Sequence, residues 1–272
     1  MLPRYRRREV LGTDPLSTVY RYRDPRDREV VAYIAAGLAF GNVKAVLAGI
    51  DRALAPLGDR PARTLTGLDL RSAKKLTRGF NYRWVRDRDL AALYVMLGAA
   101  VREAGGLEPL FAAGLDAHED HVRPGASALV RGLTRLAPRS VELTRRGTRT
   151  FLPHVDGPGA SKRVHMFLRW MVRPGEPDLG LWRAATPAQL IVPLDTHVAR
   201  ISRHLGLTGR RTAGAAMALE ITRGLRALDP ADPIKYDFAL AHLGIQGDCP
   251  TRHDPRRCSA CLLEPACVRG RG

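Results

Sequence analysis

The sequence predicts an all-α protein. Three observations carry this reading. Apolar residues recur at helical spacing along most of the chain, and glycine and proline punctuate them at helix-length intervals. Strand-like alternation is confined to two short segments, Val19–Arg23 and Thr148–Leu152. No internal repeat and no low-complexity tract interrupts the pattern.

Element by element, an Asp-Pro-rich start leads to Asp27, which opens a helical stretch. Its apolar positions are Val31, Ile34, Leu38, Val46, Ile50 and Leu54, and Gly58–Pro61 ends it. A basic stretch, Arg71–Arg88, contains the run Gly79-Phe80-Asn81-Tyr82-Arg83-Trp84. Asp87 or Asp89 caps the next helix, which runs through Val101 and breaks at Gly105-Gly106. Helices are expected over Leu107–His121 and Ala126–Leu136. Pro153–Arg163 reads as a turn of small residues, followed by a helix with Val164, Phe167, Leu168 and Met171 on one face. Pro174–Pro187 reads as a loop with a short helix at Leu179–Ala184. The last helices are expected to open at Asp195 and to cover Ala213–Leu228 and Lys235–Gly244.

The 272 residues, 45% of them hydrophobic, suffice for one large or two small domains with a real core. The longest apolar runs, Val30–Phe40 and Leu90–Val101, are too short to span a bilayer. Met1–Arg8 is basic with no apolar stretch after it, so a cytoplasmic protein with no membrane partner is expected. The formal charge of +17, from 44 Lys+Arg against 27 Asp+Glu, favours a polyanionic partner, above all nucleic acid. Lysines occur only at Lys44, Lys74, Lys75, Lys162 and Lys235. In a chain that otherwise uses arginine, a retained lysine is a candidate amine nucleophile.

All four cysteines lie in the last 24 residues, as Cys249-x8-Cys258-x2-Cys261-x5-Cys267. Without an export signal, such spacing reads as one metal or cluster site rather than two disulfides. Zinc and an iron–sulfur cluster both suit four thiolates.

The segment Pro193-Leu194-Asp195-Thr196-His197-Val198-Ala199-Arg200-Ile201-Ser202-Arg203-His204-Leu205-Gly206 resembles the run around the catalytic aspartate of the helix-hairpin-helix DNA glycosylases, the endonuclease III family. The C-x2-C-x5-C spacing of Cys258, Cys261 and Cys267 resembles that family's cluster loop, with a longer first gap, and Ala241–Cys249 resembles the helix leading into it. The resemblance spans roughly residues 153–268. It implies a divergent branch with a two-lobed helical body: residues 28–172 as one lobe carrying the hairpin, and residues 1–27 with 185–272 as the other. It also implies a [4Fe-4S] cluster on Cys249, Cys258, Cys261 and Cys267, with zinc as the alternative. Arg252, Arg256, Arg257 and Arg269 would lie near phosphates.

The same resemblance gives Asp195 the role of the carboxylate that stabilises charge on the sugar. By itself Asp195 also reads as an ordinary helix N-cap. Gly157-Pro158-Gly159-Ala160-Ser161-Lys162 resembles the family hairpin, with one extra residue before the lysine. A gapless alignment puts Ser161 where bifunctional members carry their Schiff-base lysine. Lys162 is therefore either that nucleophile or a phosphate contact. Gly157, Gly159, Ser161 and Arg163 are expected at a phosphate. Gly209–Ala215 resembles a second hairpin but follows the aspartate, and is set aside. Tyr82 and Trp84 are either base-stacking residues or core. Asn42 stands where the family places a residue that fills the hole left by an extruded base. His197 and His204 read as structural.

The function so implied is a DNA-repair glycosylase. It would flip a damaged or mismatched base from duplex DNA and cleave its N-glycosidic bond, with AP-lyase activity if Lys162 is the nucleophile. A monomer associated with the nucleoid is expected. The alternatives are a non-catalytic, cluster-bearing protein that binds DNA lesions or unusual structures, and a zinc-containing RNA-binding or ribosome-associated protein.

Overall fold

The structure, a computed structural model, describes residues 12, 14–116 and 118–268. Met1–Arg8 and Arg269 lie outside the described residues. Among the described residues, the regular structure is helical apart from one small hairpin. Asp24 accepts a hydrogen bond from the Arg26 N–H and, with Pro25, starts α1 (Pro25–Leu38). Gly41, at φ 106°, turns the chain, and Asn42 caps α2 (Val43–Leu54) through the Lys44 N–H. The single stretch expected from Asp27 to Leu54 is thus two helices.

Next come α3 (Pro61–Thr66) and α4 (Leu70–Leu76), then a two-stranded hairpin, β1 (Asn81–Tyr82) and β2 (Val85–Arg86), closed by Arg83 at φ 57°. The helix α5 (Asp87–Ala99) starts with the Asp89 carboxylate accepting the Arg86 N–H, and continues as a π turn to Ala104 before left-handed Gly105. The remaining helices are α6 (Glu108–Ala112), α7 (Arg123–Arg135), α8 (Arg146–Phe151), α9 (Lys162–Val172), α10 (Thr196–His204), α11 (Ala215–Leu228), α12 (Asp237–Ile245) and α13 (Pro255–Ser259).

Several local expectations are corrected. Val19–Arg23 is not a strand: Pro15–Arg21 is a 3-10 turn capped by Asp14. Thr148–Leu152 falls in and after α8, where the Thr148 hydroxyl donates to buried Asp89. The helix expected over Leu107–His121 stops at Ala112. A Cβ on Gly114 would sit 2.2 Å from Ala128 Cβ, so only glycine lets the chain pass α7 there. Leu179–Ala184 is not helical; the 3-10 turn lies at Pro187–Gln189. The described N-terminal part, Pro15–Arg21, packs on α1 and α2 of the first expected lobe.

One continuous hydrophobic core runs from Leu16 to Ile234 and crosses the expected boundary between lobes. The segment between α9 and α10 welds it. Trp182 is 3% exposed, packs edge-on against Phe167, and donates to Glu29 Oε1 at 2.7 Å. Glu29 also accepts the Leu107 and Glu108 N–H groups, so its buried carboxylate ties α1, α6 and this segment. Truncating such a buried indole costs about 3–5 kcal/mol. A smaller apolar cluster of Ile201, Leu240 and Leu243 joins α10 to α12 next to the cysteines.

Candidate active site and cysteine cage

The Gly-Pro-Gly turn is held from behind. Arg123, at the start of α7, donates to the Val155 carbonyl at 3.2 Å and the Gly157 carbonyl at 2.9 Å. The Ala215 N–H donates to the Pro158 carbonyl at 2.9 Å. The Gly209–Ala215 segment set aside in the sequence thus buttresses the turn, and a Cβ on Gly214 would lie 2.6 Å from the Pro158 oxygen. Within the turn, Gly157 is buried and Gly159 exposed.

Ser161 adopts a left-handed conformation at φ 44°, absorbing the extra residue, and Lys162 becomes the first residue of α9. Its Nζ lies 3.0 Å from Asp195 Oδ2. Asp195 caps α10: its Oδ1 accepts the Val198 N–H at 2.8 Å. Asp195 is thus an N-cap whose second oxygen is left for Lys162, one oxygen serving the helix and the other the lysine. Burial alone would raise the Asp195 pKa, but Lys162 and the Val198 N–H outweigh it and hold the carboxyl below its ordinary range.

Lys162 and Asp195 open onto one cleft with Gly157, Gly159 and Ser161. Its opposite wall is Ala39, Phe40 and Gly41, so exposed Asn42 stands at its edge. Arg149, His154, His197 and Ile245 also line it, and none of these was singled out as a site residue from the sequence. Arg149 and His154 belong to no motif, and Ile245 is visible only as a 61% exposed apolar side chain. His197 also has a packing role, because a Cβ on Gly244 of α12 would fall 2.5 Å from its Cβ.

Of the two readings of Tyr82 and Trp84, stacking on a base or core, the packing favours the core. Tyr82 is 5% exposed, and its hydroxyl donates to the Phe40 carbonyl, so it belongs to the core. Trp84 stacks on Phe40 at 4.6 Å, with the Arg146 guanidinium 4.0 Å from its ring centroid and its Nε1 donating to Thr150. Both rings are already occupied and offer no platform for a base. Arg163 lines the same cleft, with its guanidinium over Phe40 and donating to the Thr150 carbonyl at 3.1 Å, and burial pushes its pKa down. These side chains build the wall behind Phe40.

The cysteines surround a cavity of about 170 Å³ lined by all four of them and by Ile201, Leu205, Leu243 and Leu263. The short helix α10 reaches it from the cleft that Asp195 lines. Arg200 donates to the Cys249 and Pro250 carbonyls at 2.8 and 2.9 Å, and His204 Nδ1 lies 3.6 Å from Cys249 Sγ. His204 therefore has cysteine company that its sequence spacing did not reveal. Burial raises the Cys249 thiol pKa, Arg200 works against it, and Cys261 and Cys267 add to it. Among the described residues, no three of these thiols gather within 4.8 Å of one another. Four sulfurs on one zinc ion, each about 2.3 Å from it, sit roughly 4 Å apart.

Among the described residues, no helix is long and apolar enough to cross a membrane. The chain belongs to the family described as "Protein of unknown function (DUF2400)", whose model matches residues 14–246. That span contains Lys162 and Asp195 and stops before Cys249. No curated protein and no solved structure matches the chain.

Proposed function

We propose that this protein is a DNA-repair glycosylase of the helix-hairpin-helix type that acts on a damaged or mismatched base in duplex DNA. The observation that carries this reading is the contact of Lys162 with Asp195 in an open cleft beside a Gly-Pro-Gly turn. Removing a base builds positive charge on the deoxyribose, which a fixed carboxylate such as Asp195 offsets. The exposed Gly159 lets a sugar–phosphate backbone approach closely. Lys162, once deprotonated, would attack the sugar C1′ as the N-glycosidic bond breaks and the base leaves, and opening of the sugar ring would leave a Schiff base. Strand cleavage by β-elimination would follow, which is AP-lyase activity.

Incubation with a panel of lesion-bearing duplexes, scored with and without alkali and with borohydride, tests this. Base release and a borohydride-trapped protein–DNA adduct are expected. Binding without release would instead establish a lesion-binding protein.

Cys249, Cys258, Cys261 and Cys267 would hold a [4Fe-4S] cluster, a soft-thiolate set around a cavity wider than one ion needs. Its role is to order residues 249–267, which present Arg252, Arg256 and Arg257 to phosphates. Purified protein is expected to be yellow-brown with about four irons per chain. Stoichiometric zinc in colourless protein would reject the cluster and leave the glycosylase reading standing.

A further inference from the structure

A second concavity lies away from the cleft. The cleft takes Ala39, Phe40 and Gly41, just after α1 ends. The second opens at the other end of the same helix, around its cap Asp24 and Arg26. The 14 residues of α1 rise about 1.5 Å each, so about 20 Å of helix separates the two. The groove has a volume of about 940 Å³, within the range of small-molecule sites. It lies outside residues 153–268, which carry the glycosylase resemblance, so that reading gives it no task.

Its lining is basic. Arg21, Arg23, Arg26, Arg60 and Arg63 stand against Asp24, Asp27 and Asp59. Of the five arginines, only Arg21 is in an ion pair among the described residues, with Asp51 at 2.6 Å. The other four are exposed. Two of the aspartates are engaged by backbone. Asp24 accepts the Arg26 N–H at 2.8 Å. Buried Asp27 accepts the Ala62 N–H at 2.8 Å, which fixes the start of α3 against α1. Another wall is held by Arg102, in the π turn after α5, which donates to the Thr66 carbonyl at 3.1 Å. The frame is thus built, and four guanidiniums on it are left without a carboxylate. Like charges gathered in one concavity repel, and an anion bound among them relieves that repulsion.

We propose that this groove is a second binding site, separate from the cleft, for a small ligand that carries a diphosphate group. A guanidinium matches phosphate oxygens with paired N–H donors, and several together suit adjacent negative charges. The half-buried ring of Tyr22 is also in the lining and offers an apolar face on which a nucleobase can lie. A continuous nucleic-acid backbone crossing the groove would meet exposed Asp24 and Asp59, which repel it. A compact ligand can set hydroxyl groups, such as those of a ribose, against those carboxylates instead.

The test is calorimetric titration of the full chain with ADP, inorganic pyrophosphate and adenosine. A diphosphate should bind one per chain with a Kd below about 1 mM, and adenosine should not bind. Arg60→Gln/Arg63→Gln should weaken that binding about tenfold or more. Both side chains are exposed and in no ion pair among the described residues, so the variant should melt as the wild type does. Arg78→Gln/Arg88→Gln removes the same charge from exposed positions outside the groove and should bind as the wild type does. Tighter binding of ADP than of pyrophosphate would identify a nucleotide; equal binding would identify the diphosphate alone. Either supports the site.

Absence of binding by either diphosphate at millimolar concentration would overturn the proposal, as would full binding in Arg60→Gln/Arg63→Gln. Equal weakening in Arg78→Gln/Arg88→Gln would show that the +17 charge, not the groove, holds the anion, and would overturn it too. So would adenosine binding as tightly as ADP. Displacement of ADP by an undamaged duplex would make the groove part of a nucleic-acid surface and reject a separate small-ligand site. None of these readouts depends on base release.

Discussion

Asp195 serves two masters with its two oxygens, and this makes its substitutions informative. Asp195→Asn keeps an acceptor for the Val198 N–H, so α10 should still start correctly. It removes the anion beside Lys162. Base release should fall by about 10³-fold or more, the scale of losing one charge-stabilising group, while duplex binding changes little. Lys162→Gln should separate the two chemistries: the trapped adduct disappears, and base release falls less than in Asp195→Asn. An adduct persisting in Lys162→Gln, mapped by mass to another lysine, would move the nucleophile. The sequence pointed to Asp195 and Lys162 by motif and by scarcity of lysine. It could not show that Lys162 rather than Ser161 meets Asp195, because that contact follows one left-handed residue, Ser161 at φ 44°. It left Tyr82 and Trp84 open between stacking and core, since an aromatic-basic run looks the same on a surface as around the ring of Phe40.

At the scale of elements, the helices were legible where apolar periodicity was long, as in α5, α9 and α11. They were not where length was short: α8 has six residues, too few for 3.6-residue periodicity to outweigh apparent alternation. The link between cleft and cysteines is also an element, the nine-residue α10, with Asp195 at one end and His204 at the other. It is held against α12 by the fit of His197 onto Gly244. Gly244→Ala would put a Cβ 2.5 Å from the His197 Cβ, backed by a buried helix rather than by a flexible tip. Overpacking of this kind costs about 1–3 kcal/mol. A lower melting temperature with partial loss of both colour and base release is expected, because both sites hang on the same helix pair. A melt indistinguishable from the wild type would show that α10 and α12 part easily, and the two sites would then be independent.

For the whole molecule the question is where the +17 charge resides. Some of the acidic side chains are buried in the fold: Asp27, Glu29, Asp89, Asp178 and Asp237. Asp178 and Asp237 neutralise Arg169 and Arg173 in the interior. At the surface, Asp51, Asp156, Asp120 and Glu220 pair with Arg21, Arg131, Arg226 and Arg210. The surplus of arginine is therefore presented outward, and exposed Arg149 and Arg203 lie near the cleft and its α10 edge. A surface of that kind binds a polyphosphate backbone by releasing its counterions, so the logarithm of the affinity falls linearly with the logarithm of salt concentration. If six or more phosphates are engaged, duplex affinity should drop by about 10³-fold between roughly 50 and 200 mM salt. The Asp195→Asn variant should give the same slope, because one carboxylate in the cleft contributes no phosphate contact. A flat response would mean that the basic surface meets no backbone, and the cleft would then need a small ligand instead of a duplex.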